Sequence, residues 1–317
     1  LKDGRGNSHE QPVKLYPNHE LLVTRTGHVE DEPGSRKLYQ VILDRFHARK
    51  GQGTTAELQA ELRRLRIPSD GSPLAVKVLD KSSDQESPYQ PIRFESEPGL
   101  EIQGKLYVPP SAGRKPAVLL VADESTGSMA KKILKAGQVV LELEPRDSPA
   151  ELDRRPYLGN WRTNARAIQI GRNLPAMRAH DLLRGVDVLV SRTDVDADSI
   201  RAFARGVKGV WLLLAASIDT RIRKVWLDRT PHSLRLALER SMNTNLFDAV
   251  VPGFALHWDL VDLTRAMGKR SVLWTDPTNW MRRTVPLGPP FQYRYVLGDD
   301  TDLSDEQDNA YLRELIR

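Results

Sequence analysis

The spacing of apolar and polar positions changes several times along the chain, and each change marks an element. Over residues 36–66 the period is helical. Leu38, Val41, Ile42 and Phe46 share one face, and Leu58, Leu62 and Leu65 continue the stripe beyond Gly51 and Gly53 until Pro68. The many Arg and Lys residues between them read as a solvated face rather than a binding site. Residues 69–91, rich in Ser, Asp and Pro, predict a loop or an irregular strand pair. Residues 92–95 and 100–108 alternate like a hairpin around Pro98-Gly99. Residues 117–122 form an unbroken apolar run ending at Asp123, the pattern of a strand buried on both faces. A short helix over 129–136, closed by Gly137, and a strand over 139–143 follow. One long helix is expected over 168–190, with Pro175 in its early part. Beyond it the pattern predicts a strand at 199–204, a helix at 209–217, strands at 223–227, 271–275 and 293–297, and a terminal helix at 305–316. Strands alternating with helices define an α/β class: a mostly parallel sheet with helices on both faces. The expected organisation is a Gly- and Pro-rich lead-in over 1–35, a helical and irregular N-terminal extension over 36–91, and the α/β domain over 92–317.

Composition narrows the function classes. The 317 residues hold 47 Lys and Arg against 42 Asp and Glu, a net charge of +5 spread thinly along the chain. Such an excess does not argue for nucleic acid. There is no cysteine, which excludes disulfides, zinc–thiolate sites, iron–sulfur clusters and Cys nucleophiles. The longest apolar stretch, 210–216, is far short of the ~18 residues that a membrane span needs. The seven histidines include no pair at i, i+4 and no His-x-His, so neither a metal site nor a cofactor is expected. The opening Leu1-Lys-Asp-Gly lacks an initiator Met and an apolar leader, and suggests a processed chain or part of a longer one.

In open parallel sheets chemistry sits just beyond the C-terminal ends of strands. The candidate loops therefore start at Asp123, Glu144, Ala204, Asp228, Asp276 and Gly298. One of them has a distinctive shape. Residues 200–221 read as a strand, a tight glycine turn and a helix, the outline of a nucleophile elbow, usually G-x-S-x-G. Such a bend needs small residues, supplied here by Ala204, Gly206 and Gly209. Its central position is Gly206, and no Ser, Cys, Asp or Thr lies between Arg201 and Leu214, so the elbow carries no nucleophile.

Three segments in order resemble a known family. They are 174–192, ending in Asp187-Val-Leu-Val-Ser-Arg192; 204–221, ending in Asp219-Thr-Arg221; and Val251-Pro-Gly-Phe-Ala-Leu-His257-Trp-Asp-Leu-Val-Asp-Leu263. Together they are similar to the bacterial acetyl-xylan-esterase-like carbohydrate esterases, over residues 92–300. The resemblance implies an α/β-hydrolase fold, a Ser at the elbow, an acid after the sixth or seventh strand and a His after the last one. Asp276, after Val272-Leu-Trp-Thr275, matches the acid, although it reads equally well as a turn or cap residue before Pro277. No His follows His257. Asp299, Asp300 and Asp302 occupy the region where the base is expected, and read as a solvated turn because their spacing does not fit an EF-hand. The elbow residues Ala204, Gly206 and Gly209 are thus vestigial.

The remaining candidates have structural readings beside the chemical ones. His257 reads as a packing histidine, with a base as the alternative. Ser125 and Ser128 read as an N-cap run before Met129, with a degenerate oxyanion loop as the alternative. Trp161, Trp258, Trp274 and Trp280 could form a platform for sugar rings, with Trp274 more at home in the core. Leu1-Lys-Asp-Gly resembles the end of a preceding hydrolase domain, and Glu20-Leu-Leu-Val-Thr-Arg-Thr-Gly27 the phrase that follows it in tandem members. The resemblance therefore implies a catalytically degenerate second domain, structural or carbohydrate-contacting, whose partner is an active upstream hydrolase domain. A polysaccharide ligand and an extracytoplasmic bacterial location go with it; nucleic acid, membrane and cofactor are not expected. The alternative is an active ester hydrolase with a relocated nucleophile, such as Ser125 or Ser217. A third reading, polyanion binding through Arg162, Arg166, Arg172, Arg178 and Arg184, suffers because these residues do not share one helical face.

Overall fold

Apolar runs too short for long helices pair into one sheet in this computed structural model, which describes residues 12–68, 72–79, 88–147, 159–240, 242–285, 294–296 and 305–317. The strands are β1 Lys77–Val78, β2 Gln90–Glu97, β3 Leu100–Tyr107, β4 Lys115–Val121, β5 Val139–Glu144, β6 Val195–Arg205, β7 Ile222–Asp228, β8 Ser271–Thr275 and β9 Arg294–Val296. Their order across the nine-stranded sheet is β1-β2-β3-β5-β4-β6-β7-β8-β9. The pairings from β1 to β5 are antiparallel, and every pairing from β5 to β9 is parallel. The chain leaves β4 for β5 on one side and then crosses back to β6 on the other. That reversal opens a crevice at the C-terminal ends of β4 and β6, where open α/β sheets place their ligands.

The helices are α1 Leu38–Arg49, α2 Thr55–Leu65, α3 Thr126–Lys135, α4 Trp161–Gln169, α5 Leu174–Val190, α6 Lys208–Ile218, α7 Phe254–His257, α8 Leu260–Ala266 and α9 Asp305–Ile316. They cover both faces unequally. The larger core takes side chains from α2, α5, α6 and α8, and the smaller one from α3 and α9. Strand β4 shows how a period of two feeds both. Ala117, Leu119 and Val121 enter the larger core, while Val118 and Leu120 enter the smaller. All five are fully buried, as expected of a parallel strand sandwiched by helices.

The expected helix over 168–190 is two helices. Gly171, at φ +74°, ends the first. The Asn173 side chain then caps the second, accepting from the Ala176 amide at 2.9 Å. Pro175 sits in the first turn of α5, where its missing N–H leaves nothing unpaired. The helix expected at 129–136 begins earlier, at Thr126, and the strand expected at 199–204 begins at Val195. At the N-terminal side, Thr54 and Glu57 form a capping box at the start of α2. The linker before it is clamped to the body by Gly51 donating to the Leu256 carbonyl (2.9 Å) and Gly53 to that of His257 (3.1 Å).

The arginines considered for polyanion binding are largely committed elsewhere. Arg178 is fully buried against Asp248 at 2.7 Å, Arg184 pairs with Asp187 at 2.9 Å, and Arg172 with Glu97 at 2.6 Å. A second buried network joins α5 to the sheet edge. Arg146 reaches both Asp181 and Glu97 at 2.5 Å, and the Ser96 hydroxyl donates to Asp181 at 2.6 Å. Beside it, His180 Nε2 lies 3.0 Å from the Ser96 carbonyl oxygen. Among the described residues no helix is long and apolar enough to cross a membrane, and no group of His, Asp and Glu is placed to hold a metal ion.

Burial holds the His180 imidazole below its ordinary pKa of 6.5. The folded protein therefore keeps this ring neutral while the unfolded chain protonates it. That contribution to stability is complete above about pH 6.5 and is lost as the pH falls below it. Urea midpoints should drop between about pH 7.5 and about pH 5.5, and His180→Gln should flatten part of that slope. An unchanged slope in the variant would show that the ring does not fold neutral.

Candidate active site

Strand β6 ends at Arg205 and α6 begins at Lys208, so the chain reverses through Gly206 and Val207. Gly206 stands at the tip, with φ +61°. Its amide donates to the Asp228 carbonyl at 2.9 Å, and its own carbonyl accepts from Gly209 at 3.0 Å. The two glycines of the bend are there for different reasons. A Cβ at Gly209 would lie 1.9 Å from Thr230 Oγ1 and 2.8 Å from Thr230 Cβ, so close packing of α6 on the loop after β7 demands glycine. A Cβ at Gly206 would meet nothing within 4 Å. Only its left-handed backbone favours glycine there.

An ion pair between a half-buried arginine and a buried carboxylate lies beside the tip. Arg205 Nε donates to Asp228 Oδ2 at 2.5 Å, and Asp228 is fully buried. The other Asp228 oxygen accepts from Thr275 Oγ1 at 2.7 Å, and Thr275 Oγ1 accepts from Trp226 Nε1 at 2.9 Å. The ends of β6, β7 and β8 are thereby tied together. Lys208 Nζ donates to the Ala122 carbonyl, which ties the start of α6 to the end of β4. The sequence flags Asp228 as a strand-end loop position but gives no hint that Arg205 is its partner. The available signal is a cation directly before the tip glycine, on a strand whose next neighbour ends in an acid.

Asp123 organises the loop after β4. Its Oδ1 accepts from the Ser125 amide and hydroxyl, both at 2.7 Å, and from the Thr126 amide at 3.1 Å. Its Oδ2 is buried with no hydrogen-bond partner. Ser125 occupies the N-cap position of α3 but its side chain caps nothing, because the hydroxyl is turned onto Asp123. The capping expected of Ser125 is done by Asp123, with Thr126 Oγ1 accepting from the Asp123 amide at 3.0 Å.

Asp276 follows β8 directly, is buried, and has φ +43°. A non-glycine residue in that region is uncommon and marks a constrained turn. The acid thus stands on the same sheet edge as Gly206, with β7 between their strands. His257 is elsewhere. It ends α7, is exposed, and packs on the Trp258 ring at 5.4 Å. Asp299, Asp300 and Asp302 lie outside the described residues. His232, in the loop after β7, turns Nδ1 to the Thr278 carbonyl at 3.4 Å, and burial holds its pKa down. Ser217 is buried inside α6 and donates to the Leu214 carbonyl at 2.8 Å. The expected aromatic platform does not form. Trp274 and Trp280 are buried, Trp280 with its Nε1 donating to the Ser233 carbonyl at 2.7 Å, and Trp258 is nearly so. Trp161 alone of the four is open, 39% exposed with the Arg162 guanidinium 5.4 Å from its ring centroid.

No family model and no curated protein matches the chain. Solved structures do share its fold. A Bacteroides fragilis protein assigned as an acetyl xylan esterase superposes with a TM-score of 0.62 at 14% identity, over 78% of this chain and 77% of that one. The acetyl xylan esterase from Paenibacillus sp. R4 gives 0.58 at 14%, over 86% and 98%. A glucuronoyl esterase from Solibacter usitatus gives 0.53 at 15%, over 82% and 91%. The chain has the α/β-hydrolase-like fold seen in these carbohydrate esterases, with Gly206 at the bend after β6.

The two glycines separate shape from chemistry. Gly209→Ala should lose about 3 kcal/mol, because Thr230 must move in a packed core. Gly206→Ser should lose only about 1 kcal/mol, the strain of a left-handed residue over open space. It should not raise hydrolysis of 4-nitrophenyl acetate, since a hydroxyl without a base stays a weak nucleophile. Urea titrations check the ranking, and the reverse order would refute the packing argument.

Proposed function

We propose that this chain is a catalytically degenerate α/β-hydrolase-fold domain. It serves as a structural or carbohydrate-contacting partner of an active hydrolase domain placed before it. The observation that carries the reading is Gly206 itself: the bend keeps the backbone of a nucleophile elbow at φ +61° with no side chain on it. The groups around it support the same reading. Arg205 and Asp228 neutralise each other beside the tip, where a hydrolase needs a hydroxyl and an imidazole. Both serines that could replace the nucleophile are engaged, Ser125 with Asp123 and Ser217 with the Leu214 carbonyl. Contact with polysaccharide falls to Trp161, whose open ring can stack on a pyranose face.

The purified chain should hydrolyse neither 4-nitrophenyl acetate nor acetylated xylan above buffer, and a fluorophosphonate probe should label no serine. A labelled serine, or turnover lost in Asp276→Ala, would overturn the degenerate reading and favour an active esterase with a relocated nucleophile. Migration in native gels containing acetylated xylan should be retarded, and Trp161→Ala should abolish the retardation. Equal migration with and without xylan would leave the structural role and remove the carbohydrate-contacting one.

A further inference from the structure

Away from the bend, α1 and residues 234–238 and 246–256 line an open-mouthed cavity of about 330 Å³. That is the lower end of the range for small-molecule sites, and far more than a close-packed interior leaves unfilled. Phe46, Leu234, Ala237 and Val251 form its buried floor, and half-buried and exposed side chains make its walls and mouth. Its α1 wall opens to solvent at Ile42, which is 45% exposed. The lining contains two charged residues, Arg45 and Arg49, and no acid. They stand four residues apart on α1, so their side chains rise from one edge of the helix. Both are exposed, and neither has a carboxylate partner among the described residues. A third guanidinium, that of Arg235, lies 5.8 Å from the Phe46 ring centroid and is fixed by Nε donating to the Ala255 carbonyl at 3.0 Å.

We propose that this cavity binds a small amphipathic carboxylate, with its apolar tail inside and its head on Arg45 and Arg49. The chemistry of the wall selects this class. A sugar would leave its hydroxyls unpaired against apolar side chains. A bare anion would leave the apolar wall unused. An amphipathic cation would meet only like charge at the mouth. A carboxylate matches the planar donor fork of arginine, and its tail removes apolar surface from water. The site is independent of the bend, so the proposal and the reading of the domain as catalytically silent can fail separately.

Calorimetric titration with sodium hexanoate, octanoate and decanoate tests it, each below its micelle concentration. Affinity should rise roughly fourfold per methylene from hexanoate to octanoate. The double substitution R45Q/R49Q changes exposed residues and should leave the melting temperature unaltered. It should weaken octanoate roughly five- to thirtyfold, the worth of two exposed ion pairs, and change 1-octanol little. Octylammonium should not bind. Leu238→Trp, which fills the cavity from its wall, should abolish binding of all three acids. Absence of saturable octanoate binding, or undiminished binding in R45Q/R49Q, overturns the proposal.

Discussion

The loops at the C-terminal edge of the sheet depend on one buried cation. Arg178, on α5, is fully buried, and removing a charge from water costs several kcal/mol that must be offset by partners for its nitrogens. Here they are met from three sides. Asp248 takes one arm at 2.7 Å, the Arg146 carbonyl accepts from Nε at 3.0 Å, and the Asp147 carbonyl takes the other arm. The guanidinium lies 4.2 Å from the centroid of the Trp211 ring, whose own Nε1 donates to the Asp248 carbonyl at 2.7 Å. One side chain therefore fixes the loop after β5, the segment after β7 and the helix that follows the bend. None of these segments makes regular secondary structure with the others; besides Arg178 they are joined by single side-chain bonds, Trp211 Nε1 to the Asp248 carbonyl and Asn160 Nδ2 to the Asp147 carbonyl and to Asp248 Oδ1.

That arrangement holds the bend from behind, and a second set of bonds holds it in front. The Gly206 amide on the Asp228 carbonyl, the Arg205–Asp228 pair and the Lys208 bond to the Ala122 carbonyl join it to two neighbouring strands. None of these bonds needs a reactive side chain at position 206. The backbone of this bend is therefore maintained by interactions that are independent of what stands at its tip. The fold seen in the carbohydrate esterases is therefore compatible with a bend whose tip carries no side chain.

Much of the sheet is legible in the sequence because its strands are buried on both faces and read as unbroken apolar runs, as at 117–122. The bend is legible for a different reason: three small residues in six positions between a strand and a helix permit few other geometries. The break between α4 and α5 is less visible. Apolar residues continue across it, and only Gly171, Asn173 and Pro175 mark it. The Arg205–Asp228 pair joins residues 23 apart in sequence, and depends on β6 and β7 being neighbours, which local pattern does not encode. The aromatic platform fails for a related reason. Trp274 is in the core, as its place within an apolar strand implies, but Trp280, just past a strand end, looks accessible in a linear reading and instead turns its indole N–H to the Ser233 carbonyl and is buried.

The empty space over Gly206 has a consequence for how such a chain could change. The two partners of a hydrolytic pair are not equally far away. A hydroxyl at the tip is one codon from the present sequence and would displace no neighbour. An imidazole facing it is another matter, because a ring must be delivered by a segment shaped to aim it. A hydroxyl placed at the tip would therefore depend for its chemistry on the architecture of a loop, and the bend itself imposes no barrier.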